Sequence, residues 1–295
     1  MNAHRKTIED ALRLHVDRLA GLIGPRVYEK PKSIEAAMGY IRGQWAQMQQ
    51  EIVEEPFDAL GVTAKNLIVE RQGHSQASEI ILLGAHYDTV STTPGADDNA
   101  SAVAVLLEVS RLLKDHTAKR TARYVAFACE EPPYFNLDSM GSQHHARMAR
   151  KRGENIIGML CLEMVGYFSD EPGSQKIPRT IPKAIRWLFP SRGNFLAAVG
   201  NLASWKLAYR FRFGFKRGTR LGLFSICLPE KVGEIRLSDN SSFWDQGYPA
   251  LMLTDTSFLR NPHYHQPTDT PETLDYARMT EVTLGVAAAM KRLLG

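Results

Sequence analysis

The stretch "EIILLGAHYDTVSTTPGADDNASAVAVLL", residues 79–107, decides the fold. It begins with a short, unbroken apolar run, which is typical of a strand buried on both faces of a parallel sheet. It ends in an apolar-rich segment of helical length that follows a Gly-Ala-Asp-Asp-Asn turn. A buried strand followed by a covering helix is the repeating unit of a doubly wound α/β sheet. The loop between the two carries His86, Asp88, Asp97 and Asp98.

The rest of the chain repeats this alternation. Further strands are predicted at residues 66–72, 122–131, 156–164, 195–200, 223–229 and 248–256. Helices are predicted at residues 99–115, 141–153, 202–209 and 277–294. These segments predict an α/β fold, a three-layer, doubly wound and mostly parallel central sheet with helices on both faces.

Two segments lie outside this alternation. Residues 1–50 are predicted to be helical, because apolar residues recur at helical spacing from Ile8 to Ile23 and again from Ile34 to Trp45. Residues 169–193 break the rhythm and are predicted to be an insertion or a lid. Four prolines stand in that segment: Pro172, Pro178, Pro182 and Pro190. We therefore predict a single domain over residues 1–295 that carries these two additions.

The composition argues against several classes of protein. The 295 residues have a formal net charge of +4 at pH 7, which is small for a nucleic-acid-binding domain with clustered basic residues. Three scattered cysteines do not make a disulfide framework. The N-terminus lacks the apolar core of a signal peptide, and no apolar run reaches the roughly 20 residues of a membrane span. We predict a cytoplasmic protein with no nucleic-acid or membrane partner; the alternative is the mature form of an exported protein.

Reactive side chains follow several predicted strands at the same end. They are His86 and Asp88, Asp97 and Asp98, Glu130 and Glu131, Glu163, and finally His263 and His265. The carboxyl ends of parallel strands meet at one edge of a sheet, where adjacent carboxylates would repel one another. No Arg or Lys stands beside these positions, so a divalent metal is the simplest compensating charge. Mixed nitrogen and oxygen ligands favour zinc, with Co²⁺ or Mn²⁺ as alternatives.

The order of these motifs resembles the co-catalytic zinc aminopeptidase family of metallopeptidases. That family includes bacterial leucyl aminopeptidases, glutamate carboxypeptidases and, by fold, glutaminyl cyclases. The shared motifs are H-x-D, G-A-D-D, E-E at a strand end, L-E-M and a late H-x-P-x-D-T. The resemblance runs from about Asn66 to the C-terminus and leaves residues 1–50 and 169–193 uncovered. It implies a zinc-dependent exopeptidase, in the first place an aminopeptidase, which acts on peptides or small aminoacyl substrates.

The resemblance also implies a role for each matching residue. Two Zn²⁺ ions would be held by His86, Asp97, Glu131, Glu163 and His265. Asp97 would bridge the two ions, and Asp98 would shape the following peptide without binding metal. Glu130 would be the general base, and Asp88 would orient the His86 ring. The chain departs from the family at Glu163, where aspartate is common, so that the geometry at this ligand differs through the longer reach of glutamate.

Three alternative functions stay open on the sequence. A carboxypeptidase or dipeptidase needs a cation for the substrate carboxylate, and Arg260 or the basic stretch 209–220 would supply one. A solvated basic helix end and loop is the favoured explanation of that basic stretch. A glutaminyl cyclase-like aminoacyltransferase would use one zinc in the same ligand frame. A non-enzymatic binding protein would have no reason to keep Glu130 beside a full set of ligands.

Four residues near the predicted site carry weaker signals. Trp244 and Phe258 suit either the wall of a substrate pocket or the core. Ser238 and Asp239 open a predicted helix, and helix capping alone explains them. None of the four is assigned a role from the sequence.

Overall fold

A single mixed sheet forms the centre of the computed structural model, which describes residues 3–181 and 183–295. Its eight strands, in chain order, are β1 (Ile52–Ala59), β2 (Val62–Arg71), β3 (Gln76–His86), β4 (Arg120–Phe127), β5 (Asn155–Glu163), β6 (Phe195–Asn201), β7 (Gly222–Leu228) and β8 (Ala250–Thr254). Across the sheet they follow the order β1-β2-β4-β3-β5-β8-β6-β7. The neighbours β4, β3, β5 and β8 run parallel, as do β6 and β7. The other pairs are antiparallel, and the predicted α/β fold is confirmed.

Helices cover both faces of this sheet. They are α1 (Ala3–Val16), α2 (Pro31–Gln47), α3 (Ala102–Leu112), α4 (Gly141–Lys151), α5 (Trp205–Gly218), α6 (Asn240–Asp245) and α7 (Tyr276–Leu294). Alternate residues of β3 enter two different cores: Ile81 and Leu83 pack with α1, α2, α3, α5 and α7, whereas Ile80 and Leu82 pack with α4 and α6. Burial of successive side chains on opposite faces explains why the sequence of this strand is continuously apolar. None of the described helices is long and apolar enough to cross a bilayer.

Two elements differ from the sequence-based expectation. Strand β1 was not predicted, because its sequence is acidic and contains Pro56, which only an edge strand tolerates. It is joined to β2 by a tight turn in which Leu60 and Gly61 have φ values of 54° and 88°. Helix α5 continues to Gly218, nine residues beyond the predicted end at Tyr209, so most of the basic stretch 209–220 is helical. Met1 and Asn2 of the predicted N-terminal segment, and Pro182 of the predicted insertion, lie outside the described residues.

Arg26 joins the N-terminal helices to the loop that follows β3. Its guanidinium is fully buried and donates hydrogen bonds only to backbone carbonyls. These carbonyls belong to Leu19, Gly24, Tyr87, Pro94 and Gly95. Burial lowers the pKa of Arg26 to about 10, so the side chain remains charged at neutral pH. The loop that carries Asp97 and Asp98 is thereby fixed to the N-terminal segment.

We expect Arg26→Met to lower the free energy of unfolding by about 3–5 kcal/mol, because five carbonyls lose a charged donor inside the protein. The midpoint of urea unfolding measures this change. Arg18→Met removes an exposed arginine from the same segment and is the matched control. A midpoint for Arg26→Met equal to that of the control would contradict the structural role.

Glu55 ties β1 to α4. Its carboxylate lies 2.8 Å from Nδ1 of His145 and accepts a hydrogen bond of 3.0 Å from Nδ2 of Asn66. Burial alone would raise the pKa of Glu55, but the hydrogen bonds outweigh burial and lower the pKa to about 2. A carboxyl group with a depressed pKa in the folded state stabilises the protein above its ordinary pKa.

We therefore expect the contribution of Glu55 to be complete above about pH 4.5 and to be lost as the pH falls towards 2. The full difference corresponds to about 3 kcal/mol. Urea unfolding of the wild type and of Glu55→Gln across this pH range measures it. The two proteins should differ most near neutral pH and converge at the acid end, and a difference that is independent of pH would contradict the assignment.

Candidate metal centre

The ends of three central strands and two loops meet at one edge of the sheet. His86 is the last residue of β3 and Glu163 the last of β5, while Glu130 and Glu131 follow β4 closely. A helical turn, Ala96–Ser101, brings the two aspartates, and the loop after β8 brings His265. At this edge lie the carboxyl ends of the parallel strands, which is where ligands bind in α/β sheets.

Candidate ligand atoms form two groups at this edge. Within each group, the atoms lie within 4.8 Å of one another. The first comprises His86, Asp98 and Glu163, and the second comprises Asp98, Glu131 and His265. Nε2 of His86 lies 3.5 Å from Oδ1 of Asp98 and 3.4 Å from Oε2 of Glu163. Nε2 of His265 lies 3.1 Å from Oδ2 of Asp98 and 3.5 Å from Oε1 of Glu131. Asp98 thus directs a different oxygen at each group, as a carboxylate shared by two cations would.

Several buried polar atoms at this edge have no hydrogen-bond partner in the protein. Both ring nitrogens of His86, Oδ1 of Asp98 and Oε1 of Glu131 are buried and accept or donate no hydrogen bond. Leaving such atoms unpaired is costly, and native proteins rarely do so. Imidazole nitrogen and carboxylate oxygen are the donors that Zn²⁺ prefers, so these residues fit divalent cations.

The structure places Asp97, the residue expected to bridge the two ions, outside both ligand groups. Oδ1 of Asp97 accepts hydrogen bonds from the amide of Gly166 (2.8 Å) and from Ser101 (3.1 Å), and Oδ2 accepts one of 2.7 Å from Asn261. Both oxygens are committed to protein donors, and Asp97 belongs to neither ligand group. The backbone leaves helical geometry at Asp98 (φ −104°, ψ 87°), which sends the two neighbouring side chains in different directions. Asp98, rather than Asp97, belongs to both ligand groups.

Asp269, in the H-x-P-x-D-T motif, holds this turn from outside. Its Oδ1 accepts from the amide of Asp97 (2.9 Å) and its Oδ2 from the amide of Asp98 (3.1 Å). Burial, together with the charge of Asp97, raises the pKa of Asp269 to about 7. Asp269 was not predicted to have a role, although its place in the H-x-P-x-D-T motif was the available signal.

Asp88 contacts three of the predicted site residues. Its Oδ1 accepts from the amide of Glu130 (3.1 Å) and its Oδ2 from the amide of Glu131 (3.0 Å). Oδ1 also lies 3.5 Å from Nδ1 of His86. Asp88 is therefore placed both to orient the His86 ring and to fix the backbone that carries the two glutamates.

The Glu130 carboxylate lies beside the two groups without belonging to either. Its Oε2 is 3.8 Å from Nε2 of His86. Burial raises the pKa of Glu130 well above its usual value; His86 opposes this shift, and the charges of Glu163 and Glu131 add to it. A carboxyl group with a raised pKa is suited to accept and release a proton near neutral pH.

Ser238 contacts the candidate ligand Glu163, and this contact was not predicted from the sequence. Its hydroxyl donates a hydrogen bond of 2.5 Å to Oε2 of Glu163 and lies 3.3 Å from Sγ of Cys161. Helix capping does not explain Asp239, because its side chain makes no capping bond and both of its oxygens are buried without a partner. Burial raises the pKa of Asp239 to about 7. Both residues therefore form part of the polar layer behind the candidate ligands.

A cavity of about 220 Å³ opens next to the two ligand groups. Its acidic end is formed by Asp98, Glu130, Glu131 and Glu163. The remaining wall is mainly apolar and includes residues of β6, β7 and β8, residues 175–178, and Ile181, Phe189 and Pro190. Phe258 lines the cavity, whereas Trp244 lies in the core with its Nε1 donating to the carbonyl of Ala250. Nδ1 of His263 lies 2.8 Å from the Thr268 hydroxyl, and His263 belongs to neither ligand group.

Comparisons with known proteins agree with this arrangement. The model of Peptidase family M28 matches residues 66–290. YfbL of Escherichia coli K12 is 34% identical over 290 residues, which cover 96% of this chain and 87% of YfbL. Aminopeptidase YwaD of Bacillus subtilis is 33% identical over 140 residues, covering 47% of this chain and only 30% of YwaD. The structure of BSAP, a zinc aminopeptidase from Bacillus subtilis, shares the fold with a TM-score of 0.72 at 16% identity, covering 96% of this chain and 94% of BSAP.

Proposed function

The chain belongs to peptidase family M28, and we propose that this metallopeptidase is a zinc-dependent aminopeptidase, which removes N-terminal residues from peptides. One observation carries the proposal. Two ligand groups share Asp98 at the acidic end of a cavity that is otherwise mainly apolar. Such a cavity suits a substrate with a cationic amine beside an apolar side chain.

In this proposal His86, Asp98 and Glu163 would hold one Zn²⁺, and Asp98, Glu131 and His265 would hold a second; Co²⁺ or Mn²⁺ are alternatives. A pair of such ions supplies Lewis acidity and lowers the pKa of water towards neutrality. Glu130 takes a proton from the attacking water on its carboxylate and delivers it to the amine that leaves. Asp88 holds Glu130 in place through the backbone amide of that residue.

The charges of the site favour an amine over a carboxylate as the terminal group of the substrate. Four carboxylates at the acidic end offset the charge of two divalent ions, so no positive charge is left over. Among the described residues that line the cavity, Lys176 is the sole lysine or arginine, and it is exposed. Arg260, the candidate cation of a carboxypeptidase, is instead buried against Gln175 and the carbonyl of Phe195.

The volume and lining of the cavity favour a large apolar N-terminal residue. An apolar cavity of about 150 Å³ holds a benzene molecule, and this one measures about 220 Å³. Phe195, Phe224 and Ile226 lie in its wall. A leucine, phenylalanine or tryptophan side chain is therefore the proposed occupant.

The described residues of the segment 169–193 are proposed to be a fixed wall of this pocket, within a single catalytic domain that comprises residues 1–295. The amide of Lys176 donates a hydrogen bond of 2.8 Å to the carbonyl of Leu259. The Gln175 side chain bonds to Thr256 and Arg260. These bonds tie the segment to the loop after β8, which also carries His265.

A cytoplasmic location is proposed as well. Cys129, Cys161 and Cys227 are all free thiols among the described residues. Unpaired cysteines are typical of a reducing compartment. Fractionation of cells that express the full chain tests this location.

A glutaminyl cyclase-like aminoacyltransferase is the second candidate, since such enzymes use one zinc in the same frame. The second ligand group, with an unpaired Oε1 on Glu131, argues for two ions and against this alternative.

Mass spectrometry of a mixed peptide pool, incubated with zinc-loaded protein, distinguishes these functions. Stepwise loss of N-terminal residues, fastest for large apolar ones, supports the proposal. Loss of C-terminal residues would identify a carboxypeptidase, and loss of ammonia from N-terminal glutamine would identify a cyclase. The Glu130→Gln variant is the control for contaminating peptidases, and a chelator followed by added zinc should abolish and then restore the same products.

A further inference from the structure

Helix α5 presents an unusual face to solvent. Its exposed apolar side chains are Leu202, just before the helix, and Trp205, Tyr209 and Phe213 within it, each 46–58% exposed. At about 100° per residue, these side chains form one stripe along the helix. The Tyr209 and Phe213 rings are 4.7 Å apart. The opposite side of the helix, which includes Leu207, Phe211 and Phe215, is buried in the core.

Cations flank this stripe on both sides. Residues 202–220 contain no aspartate or glutamate. The exposed cations of the segment are Lys206, Arg210, Arg212, Lys216, Arg217 and Arg220. By helical geometry Arg212 lies at one margin of the exposed face, and Lys206, Arg217 and Arg210 lie at the other. No ion pair joins any of the six to an acid within residues 3–181 and 183–295.

The stripe and its flanking cations together form what we call the α5 face: Leu202, Trp205, Tyr209, Phe213 and the six cations. We propose that the α5 face docks the protein on an anionic lipid surface. A helix with exposed aromatic residues, a strongly basic flank and no acids is the pattern of elements that lie in the membrane interface. The apolar stripe would enter the headgroup region while the cations contact lipid phosphates.

Charge decides between this partner and a second copy of the chain. Two copies that met through the α5 face would bring twelve cations together, and like charges across an interface are repulsive. An anionic lipid surface neutralises the same charges. The proposal departs from the expectation of no membrane partner, because the net charge of +4 for the whole chain averages over this local concentration of cations.

The α5 face is separate from the candidate metal centre. None of its residues lines the cavity beside the two ligand groups. Hydrolysis of a soluble peptide should therefore be unaffected by changes on this face, and the docking proposal does not depend on the proposed peptidase specificity.

Co-sedimentation of the full chain with vesicles tests the proposal. One vesicle type is phosphatidylcholine alone, and the other contains about 30% phosphatidylglycerol, which is anionic. We expect binding to the anionic vesicles only, and strong weakening at about 1 M salt, where the screening length falls to about 3 Å.

Two sets of variants locate the binding. Arg210→Glu/Arg217→Glu should lower the partition coefficient by at least about 25-fold, since each cation near an anionic surface contributes about fivefold. Trp205→Ala/Tyr209→Ala/Phe213→Ala should lower it by about tenfold or more. The matched controls are Lys30→Glu/Lys32→Glu, at the start of α2, and Leu14→Ala/Leu22→Ala, in the N-terminal helical segment. They change exposed residues outside the α5 face and should bind like the wild type.

Four results would overturn the proposal. They are equal binding to both kinds of vesicle, no binding of the wild type, full binding by either α5 variant, and preferential binding of a single-stranded oligonucleotide over the anionic vesicles. Thermal melts of each variant show whether it is folded. Should the aromatic variant fail to fold, the charge-reversal variant still decides the outcome, because its two side chains are exposed and make no ion pair.

Discussion

We expect the replacement of Glu130 by glutamine to lower kcat by about 10²–10⁴-fold and to leave the metal content unchanged. Because Glu130 belongs to neither ligand group, the substitution does not remove a candidate metal ligand. The substitution keeps the size of the side chain but abolishes its ability to take up a proton. Burial raises the pKa of Glu130; His86 opposes this shift, and neighbouring carboxylates add to it. A glutamine side chain does not titrate and therefore cannot replace this proton acceptor.

The measurement pairs steady-state kinetics on an N-terminally apolar peptide with zinc analysis of the same preparation. Glu131→Gln is the matched control, because it makes the same chemical change one residue away, at a side chain within a ligand group. The control should lose metal as well as activity. Activity of Glu130→Gln within tenfold of the wild type would show that another group moves the proton.

The fold was predictable wherever the local sequence dictates the element. Strand β3 is continuously apolar because it is buried on both faces, and this signal is strong. Strand β1 carries the opposite signal: its acids face solvent or pair with basic partners, and its pairing with β2 is a tertiary contact at the sheet edge. Helix α5 was predicted too short, since its Arg-Phe alternation and Gly214 obscure a helix that packing against α7 stabilises.

The candidate site was predictable at the level of motifs but not of individual atoms. The positions of the motifs after the predicted strands indicate that His86, Glu131, Glu163 and His265 lie at one edge of the sheet. It does not distinguish Asp97 from Asp98, because the direction of each side chain depends on the backbone angles of one turn. Ser238 contacts Glu163 across 75 residues of sequence, and no local pattern announces such a contact.

The different positions of Asp97 and Asp98 relative to the two ligand groups predict opposite phenotypes for two neighbouring substitutions. Asp98→Asn should abolish binding of both ions, with a loss of affinity greater than about 100-fold, because Asp98 directs one oxygen at each group. In the metal-free protein the same change should not destabilise the fold. Asp98 raises the pKa of Glu131, after burial, by charge repulsion, but it also lies 3.1 Å from Nε2 of His265 and raises the pKa of that histidine. Its neutralisation therefore removes a repulsive contact together with an attractive one, and the two effects oppose each other.

Asp97→Asn should behave in the reverse way. Its carboxylate accepts hydrogen bonds from Gly166, Ser101 and Asn261, and an amide can accept at one end only. We expect the free energy of unfolding to fall by about 1–3 kcal/mol, while two ions still bind at saturating zinc. Zinc stoichiometry and chelator-treated thermal melts of both variants separate the two roles. Retention of both ions by Asp98→Asn, together with their loss from Asp97→Asn, would restore Asp97 as the shared ligand.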